Sequence, residues 1–366
     1  MIELKHPKTG QILEVDDFWL RYHCRCVDCV DVDTQQRRYN LFDLPAAVKA
    51  SKLSYKSEQQ LLVEWSDGHK ASYDIDNIFN SQLDALLHRR LNSTVHTPWT
   101  RSVIKRHEKD LRFPLSALIN NDDVVKSLVT SLVRYGVAFI DEVPATSTMT
   151  ELVIRRVFPI MKTIFGELWT DSDVKDPEGT PTTMPYRHPH TDNTFFCDAA
   201  GLLALHCTEH VNREGGEYFF VDGLHVVQEL KRQNPKAYEL LCRAQVAAEY
   251  LEPGQHHSYT APIIRTDPVT GEFVQLSFNV CDRGMINTLP QSEMADFYAS
   301  MRALLKIIKD EANRWMALLS PGTIAIFDNW RLVHGRLAYK GERTITGAYV
   351  LRTDFMSKAR VLGIIE

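Results

Sequence analysis

The series of short strand-like runs beyond residue 185 is the feature that most constrains the fold. Apolar and β-branched residues gather there in short runs bounded by turn-forming residues, over 201–207, 217–221, 273–278, 323–327 and 344–351. Long connections separate these runs, and no repeat relates them. Many strands with a few helices packed outside them indicate an α+β protein with a jelly-roll barrel.

Three helical segments are predicted around these strands. The first follows Asn121, a good N-cap residue ahead of apolar positions at helical spacing. The second is expected to open at Thr148 or Thr150 and to run to about Phe165. The third covers about 223–243 and is interrupted at Pro235.

The first part of the chain has a different character. Residues 1–95 are expected to form a small β-rich unit, with strand-like runs at 11–15 and 60–65 and a turn ending at Gly68. A polar connector and a basic, poorly periodic stretch follow, up to about Phe113. We therefore predict two domains, 1–95 and 110–366.

Composition excludes several classes of function. The formal net charge of −5 gives no basic footprint for a nucleic acid. The apolar runs fall far short of the roughly 20 residues needed to cross a bilayer, so we expect no membrane partner. The N-terminal residues lack the features of a secretory or transit peptide. We expect a cytoplasmic protein, or a mitochondrial matrix protein if a leader precedes this numbering.

His190 and Asp192 place an imidazole and a carboxylate two residues apart, a spacing that shares one face on a strand. A distant histidine would complete a facial triad for iron, with positions left open for a bidentate co-substrate and dioxygen. His334, beyond the strand-like run 323–327, is the best candidate. Alone, the pair is better explained as a loop histidine and a turn-forming aspartate, and the order of the other residues is what favours the metal site. Arg343, one hairpin later, supplies a guanidinium that can bind a carboxylate in a bidentate manner.

Several segments resemble the family of trimethyllysine dioxygenase and γ-butyrobetaine dioxygenase, nearer to the trimethyllysine branch. They are 190–195, 215–216, 221–223, 282–283, 286–288, 328–336 and 359–363. The resemblance implies an oxygenase core folded as a double-stranded β-helix with flanking helices. It also implies Fe(II), 2-oxoglutarate and O2 as cofactors and co-substrates, with ascorbate as reductant. In this family His190, Asp192 and His334 match the iron ligands, and Arg343 matches the arginine that binds 2-oxoglutarate.

Cys24, Cys26 and Cys29 crowd three thiols into six residues, which indicates a metal site in a reducing compartment. A fourth ligand would close a structural Zn(II) site. His69 and His23 are both candidates, and the family resemblance favours His69. The alternative is a set of unmetallated thiols. The expected role is folding and contact between protomers of a homodimer, which is itself inferred from the family alone.

The resemblance also implies an aromatic cage for a trimethylammonium group, because aromatic rings attract a cation that has no hydrogen to donate. Phe165, Trp169 and Tyr349 match members of this cage, and Asn279 matches a residue near the carboxylate end of the substrate. Thr182 stands where the family has a tyrosine, so one wall differs. Core packing is the alternative for Phe165 and Trp169, and a structural role for Asn279.

The predicted function is therefore oxidation of a small amino acid or betaine-like amine, with hydroxylation of the trimethyllysine type first. A different small amino acid, undergoing ring closure or desaturation, is the first alternative. The second is a non-catalytic assembly protein stabilised by zinc.

Overall fold

The computed structural model describes residues 1–91, 95–172 and 183–365 of the 366-residue chain. The chain divides into two compact units, Met1–Ser93 and Thr94–Glu366. Thr182, predicted to line the substrate pocket, lies outside the described residues. Within the described ranges, no helix is long and apolar enough to cross a membrane.

Among its described residues, the first unit contains a hairpin, a three-stranded antiparallel sheet, three short α-helices and one 3-10 helix at Leu41–Asp43. The predicted strands are confirmed, at Ile12–Val15 and Gln60–Trp65, and Gly68 closes the turn between two strands of the sheet. Alternate residues of the central strand face the core, where Leu61, Val63 and Trp65 are buried. The elements are β1 (Ile2–Lys5), β2 (Ile12–Val15), α1 (Asp17–Tyr22), β3 (Ala50–Tyr55), β4 (Gln60–Trp65), β5 (Lys70–Asp74), α2 (Ile75–Asn80) and α3 (Leu83–Leu91).

The second unit is built on two sheets, one of seven strands and one of four, together with two separate hairpins. Its helices are α4 (Arg101–His107), α5 (Leu115–Asn120), α6 (Asp122–Tyr135), α7 (Ser147–Val157), α8 (Gly223–Gln233), α9 (Pro235–Arg243), α10 (Met294–Lys309) and α11 (Arg352–Val361). Its strands are β6 (Arg112–Pro114), β7 (Val137–Asp141), β8 (Leu168–Ser172), β9 (Thr183–Met184), β10 (Arg187–His190), β11 (Leu202–Gly215), β12 (Tyr218–Asp222), β13 (Gln245–Glu252), β14 (Gln255–Pro262), β15 (Ile264–Thr266), β16 (Phe273–Leu276), β17 (Trp315–Ala317), β18 (Ile324–Asp328), β19 (Leu332–Arg336) and β20 (Tyr339–Val350).

The two sheets of the second unit share one core. The larger sheet runs in the order β6-β7-β18-β11-β20-β8, with β9 also paired to β20, and the smaller in the order β10-β19-β12-β17. Leu203 and Phe327 of the larger sheet pack in one cluster with Phe220 and Leu332 of the smaller. The predicted α+β class is confirmed by this arrangement of mixed sheets and helices.

Successive side chains along the strands of both sheets point alternately to an inner face and an outer face. In β11, Leu203 points inward while Leu202 and Ala204 pack outward against α5, α6, α7 and α11. In β19, Leu332 points inward while Val333 packs outward against α8, α9 and α10. The same two-residue alternation places three site residues on the inner face, namely His334 in β19 and both Arg343 and Tyr349 in β20.

Two of the predicted helices agree closely with the structure. Asn121 caps α6, whose far end is closed by Gly136 in the left-handed conformation at φ 82°. Pro235 opens α9 directly after α8, as the interruption predicted. The helix predicted to reach Phe165 was wrong in extent. It ends at Val157 because Pro159 follows, so Phe165 and Trp169 lie in a turn and a strand.

The prediction of mainly strands beyond residue 185 also missed helices. The amphipathic helix α10 covers the smaller sheet, and α11 covers the larger. The basic stretch between the two predicted domains contains α4, and Trp99 just before it is buried in the core between the sheets.

A buried ion pair joins the loop before β19 to the end of β12. The guanidinium of Arg331 donates from Nε to Oδ1 and from Nη2 to Oδ2 of Asp222, both at 2.8 Å. Asp222 also accepts from the backbone N–H groups of Trp99 and Leu224. Because both side chains are almost fully buried, each charge depends on the other for its solvation.

We expect Arg331→Ala to lower the free energy of unfolding by about 3–5 kcal/mol, because it leaves the Asp222 carboxylate buried without its cation. Denaturant unfolding of the whole chain would measure this loss. Arg155→Ala, which breaks an exposed pair on α7 with Glu151, serves as the control and should change stability little. Equal effects of the two substitutions would show that burial does not set the strength of the Arg331 pair.

Candidate active site

The pairing of β10 with β19 brings the two predicted histidine ligands together. His190 is the last residue of β10, and it lies directly opposite His334 in the antiparallel register. The centroids of their rings are 4.3 Å apart. Asp192 lies just beyond the end of β10, so it does not share a strand face with His190 as the spacing suggested. The chain turns after it, with Asn193 in the left-handed region at φ 59°.

The three side chains form a compact cluster of metal-ligating atoms. Oδ1 of Asp192 is 3.2 Å from Nε2 of His190 and 3.6 Å from Nε2 of His334. All three ligand atoms lie within 4.8 Å of one another. Nδ1 of His190 lies 2.8 Å from the backbone oxygen of His188. That contact suits an Nδ1–H donor and leaves Nε2 free to bind a metal.

The electrostatics of the cluster favour the protonation states that a metal requires. Burial, together with the neighbouring His190, lowers the pKa of His334 to about 3. Burial opposes ionisation of Asp192, but hydrogen bonding to His190 and the charge of His334 hold the pKa of its carboxyl well below the ordinary value. At neutral pH the site therefore offers a neutral imidazole and a carboxylate, the forms that coordinate cations.

Two residues outside the cluster hold Asp192 in position. The side-chain amide of Asn329, which is fully buried, accepts from the backbone N–H of Asp192 at 2.8 Å and donates to its carbonyl at 3.0 Å. The same amide donates to the carbonyl of Ala200. The hydroxyl of Tyr349 donates to Oδ2 of Asp192 at 2.8 Å. The second carboxylate oxygen is thereby satisfied while Oδ1 faces the histidines.

A cavity of about 550 Å³ opens beside the cluster, and His190 and Asp192 form part of its wall. Four of the predicted substrate residues line it, namely Phe165, Trp169, Asn279 and Tyr349. The rings of Trp169 and Tyr349 are 5.9 Å apart.

Two aromatic residues of the cavity wall, Tyr250 and Phe195, were not predicted from the sequence. Tyr250, near the end of β13, stacks on Phe195 at 4.9 Å and meets the edge of Phe165 at 5.8 Å. The sequence signal was weak, because Tyr250 lies in a hairpin far from the His-x-Asp motif. Tyr186, which is near His190 in the sequence, stacks on Phe219 and is not part of the cavity wall.

Charged groups also line the cavity. Arg187, Asp171 and Asp282 contribute a guanidinium and two carboxylates to the wall. Burial raises the pKa of Asp282, and Thr194 and Asn279 each donate a hydrogen bond to its Oδ2, at 3.3 Å and 2.7 Å. These groups give the cavity a zwitterionic character that suits a small amphoteric ligand.

Arg343 lies on the inner face of β20, six residues before Tyr349. Only 4% of its surface is exposed, and its guanidinium carbon lies 4.7 Å from the ring centroid of Tyr218 and 5.4 Å from that of Tyr339. It is not part of the cavity wall described above. Arg336, two residues after His334 on β19, lies over the same Tyr339 ring at 4.2 Å.

A second cluster lies in the first unit and contains the four predicted zinc ligands. Nε2 of His69 is 3.4 Å from Sγ of Cys24, 3.5 Å from that of Cys26 and 3.6 Å from that of Cys29. The competing candidate His23 lies outside this cluster and bonds through Nδ1 to the carbonyl of Trp19.

The other four cysteines are free thiols outside this cluster. Cys207 is buried and Cys242 is half-buried, whereas Cys197 and Cys281 are exposed in surface loops.

A His-Asp-His cluster beside a cavity, carried by the smaller sheet and the loop after β10, offers the two imidazoles and one carboxylate typical of non-haem iron oxygenases. Residues 95–349 match the family described as "Taurine catabolism dioxygenase TauD, TfdA family". Residues 5–78 match "Gamma-butyrobetaine hydroxylase-like, N-terminal". The chain therefore belongs to the TauD, TfdA family, and the prediction of a 2-oxoglutarate-dependent non-haem iron dioxygenase is confirmed.

Similar proteins cover nearly the whole chain. The mitochondrial trimethyllysine dioxygenase of Rattus norvegicus is 29% identical, over 99% of this chain and 86% of its own length. The trimethyllysine dioxygenase of Meyerozyma guilliermondii is 28% identical, over 97% of this chain and 92% of its own length. A solved taurine dioxygenase from Burkholderia xenovorans covers 64% of this chain and 84% of its own, with 16% identity and a TM-score of 0.49.

We expect Asn329→Ala to weaken metal binding by about 10- to 100-fold, because residues that position metal ligands commonly have effects of this size. Anaerobic titration with Fe(II) would measure the change. Asn313→Ala is a matched control, since Asn313 is also buried and donates to a backbone carbonyl, at the end of α10. The control should lower stability without changing metal affinity. Unchanged metal affinity in Asn329→Ala would exclude a positioning role.

Proposed function

We propose that this chain oxidises trimethyllysine or a closely similar amino acid, with ferrous iron held by His190, Asp192 and His334. The observation that carries the proposal is the His-Asp-His cluster at the wall of an aromatic cavity of about 550 Å³. This volume lies in the range of small-molecule sites. The relatives named trimethyllysine dioxygenase match the chain over almost its full length, which supports the same substrate class.

The cluster fits an iron ion in its donors and its spacing. Bonds of about 2 Å to nitrogen and oxygen place neighbouring ligand atoms roughly 3 Å apart, close to the 3.2 Å between His190 and Asp192. Two imidazoles and one carboxylate form the facial triad that leaves positions open for co-substrates. Iron held by these residues would supply the oxidation chemistry in which 2-oxoglutarate and dioxygen give succinate and carbon dioxide, with the second oxygen atom available to oxidise the substrate.

The protein residues orient these components and the substrate. Arg343 is proposed to bind the distal carboxylate of 2-oxoglutarate through a bidentate contact, which burial would strengthen. The position of its guanidinium on the inner face supports this role. Asn329 and Tyr349 keep Asp192 aligned through the hydrogen bonds described above. The oxygenase unit is proposed to be a double-stranded β-helix whose two sheets hold these groups apart at fixed distances.

The substrate side of the cavity suits a quaternary ammonium group. Ring faces attract such a cation by roughly 0.5–2 kcal/mol each, according to how far water is excluded. Phe165, Trp169 and Tyr349 are supplemented by Tyr250 and Phe195, which the resemblance did not supply. Tyr250 thus provides an aromatic wall in a chain that has threonine at position 182.

The cluster in the first unit is proposed to hold a structural zinc ion. Bonds of about 2.3 Å to sulfur and 2.0–2.1 Å to nitrogen, at tetrahedral angles, place sulfur and nitrogen roughly 3.6 Å apart. The three observed distances from His69 to the thiols, 3.4, 3.5 and 3.6 Å, agree with this value. Four protein ligands leave no open position, which supports a role in folding.

We expect His190→Ala, Asp192→Ala and His334→Ala each to abolish iron binding and succinate formation in protein that remains folded, because each removes one of three ligands.

We expect Arg343→Ala to keep its iron and to raise the KM for 2-oxoglutarate by 10-fold or more, because the buried carboxylate of 2-oxoglutarate loses its cationic partner. Anaerobic iron titration and succinate release with trimethyllysine, in the presence of ascorbate, would measure both effects.

The control for these variants is His225→Ala, a histidine on α8 outside both metal clusters. It should bind iron as the unmodified chain does. Near-normal succinate release by any of the three ligand variants would remove that residue from the triad. An unchanged 2-oxoglutarate KM in Arg343→Ala would move the carboxylate contact elsewhere, with Arg336 the next candidate.

We expect elemental analysis of protein purified without added metal to find one zinc per chain in addition to any iron. Cys26→Ser should lose this zinc and melt at a lower temperature, because one of four ligands is gone. Cys242→Ser, a half-buried thiol outside the cluster, should keep the zinc. Zinc-free protein of full stability would refute the zinc site.

A further inference from the structure

The loop at residues 279–284 is fixed against the metal cluster by backbone hydrogen bonds. Thr191, between the candidate ligands His190 and Asp192, donates from its N–H to the carbonyl of Phe278 at 2.7 Å. Its hydroxyl accepts from the N–H of Phe278 at 3.0 Å. The chain that begins at Asn279 is thus held beside the cluster by a residue of the His-x-Asp motif itself.

The other side of the same loop is fixed to the hairpin that carries Tyr250. The N–H of Glu249 donates to the carbonyl of Asp282 at 2.6 Å, and the N–H of Gly284 donates to the carbonyl of Ala247 at 2.9 Å. A position held from both sides is pre-organised, so a ligand that binds there does not have to order it.

Asp282 directs a carboxylate from this loop into the cavity wall. Oδ2 accepts the two hydrogen bonds from Thr194 and Asn279, which fix the plane of the group. Among the described residues no lysine or arginine forms an ion pair with it. The carboxylate shares the cavity wall with Asp192, His190 and Tyr250.

A partly buried carboxylate with no cationic partner calls for a cation from the ligand. Two kinds of organic cation are recognised by different groups of a protein. A trimethylammonium group has no N–H to donate and is recognised by ring faces. A primary ammonium group has three N–H donors and forms its strongest hydrogen bonds with a carboxylate. The cavity contains both kinds of partner, the rings and Asp282.

We propose that Asp282 is a specificity-determining residue that binds a primary ammonium group of the substrate and so selects amino acids over betaines. This inference rests on the proposed function of the cavity. The quaternary end of the ligand contacts the rings, and the protonated amine pairs with Asp282 beside the metal cluster. γ-Butyrobetaine, which has no such amine, leaves the carboxylate without a partner and is disfavoured.

The test compares ligands that differ only by the presence of the amine. Trimethyllysine and its deamino analogue, 6-(trimethylammonio)hexanoate, are titrated into the full chain with Fe(II) and 2-oxoglutarate under anaerobic conditions, and binding is measured by calorimetry. Succinate release in air is measured in parallel. The unmodified chain should bind the free amine about 10- to 100-fold more tightly, as expected for hydrogen bonds to a charged group.

The protein variants complete the test. Asp282→Asn should lose most of this discrimination by weakening trimethyllysine alone, with the 2-oxoglutarate KM unchanged. Asp282→Glu should recover part of it. Asp198→Asn, which removes an exposed carboxylate outside the cavity, should behave as the unmodified chain. If Asp282→Asn does not fold, the pair of ligands still tests the proposal on the unmodified chain.

The outcomes separate this inference from the proposed function. Equal binding of the two ligands by the unmodified chain, or full discrimination by Asp282→Asn, overturns the role of Asp282. Discrimination in binding without succinate release leaves Asp282 in place and overturns the proposed reaction. Failure to bind either ligand overturns both.

Discussion

The antiparallel pairing of β10 with β19 is the interaction on which the candidate active site depends. It places His190 opposite His334, although the two residues are far apart in the chain. Asn329 then ties the backbone of Asp192 to the turn that leads into β19. The candidate ligands are therefore positioned by backbone hydrogen bonds and one buried amide.

The inner face between the sheets accommodates charged side chains because each of them contacts hydrogen-bonding groups, opposite charges or aromatic rings. Asp192 is held by the two histidines and Tyr349, and Arg343 lies over the rings of Tyr218 and Tyr339. The Arg331–Asp222 pair is satisfied in the same way, with backbone N–H groups on the carboxylate. Burial of charge on this scale is tolerated only where such partners are present.

The sequence was sufficient for the features that have a local signal. The N-cap at Asn121, the break at Pro235 and the alternation in Gln60–Trp65 all act over a few residues, and the structure agrees with them. The His-x-Asp spacing pointed to the metal cluster but was wrong about its geometry, because Asp192 lies beyond the end of β10 and shares no strand face with His190. Tyr250 and Asp282 could not be predicted, because a hairpin and a loop bring them to the cavity through tertiary hydrogen bonds.

The two clusters differ in the number of ligands they offer, which is what distinguishes a structural metal site from a catalytic one. Three thiols and an imidazole in the first unit surround a point at distances that suit a closed tetrahedral ion. The His-Asp-His cluster supplies only three ligands and borders a cavity, so a metal held there would stay open to co-substrates. Under the proposed function, the wall of the cavity then decides which ligand binds, because the rings favour a quaternary cation and the Asp282 carboxylate favours a cation that donates hydrogen bonds. A ligand that carries both groups would satisfy both parts of that wall. A betaine without the amine would leave the half-buried Asp282 carboxylate without a cation, and an amine without the quaternary group would leave the rings without theirs.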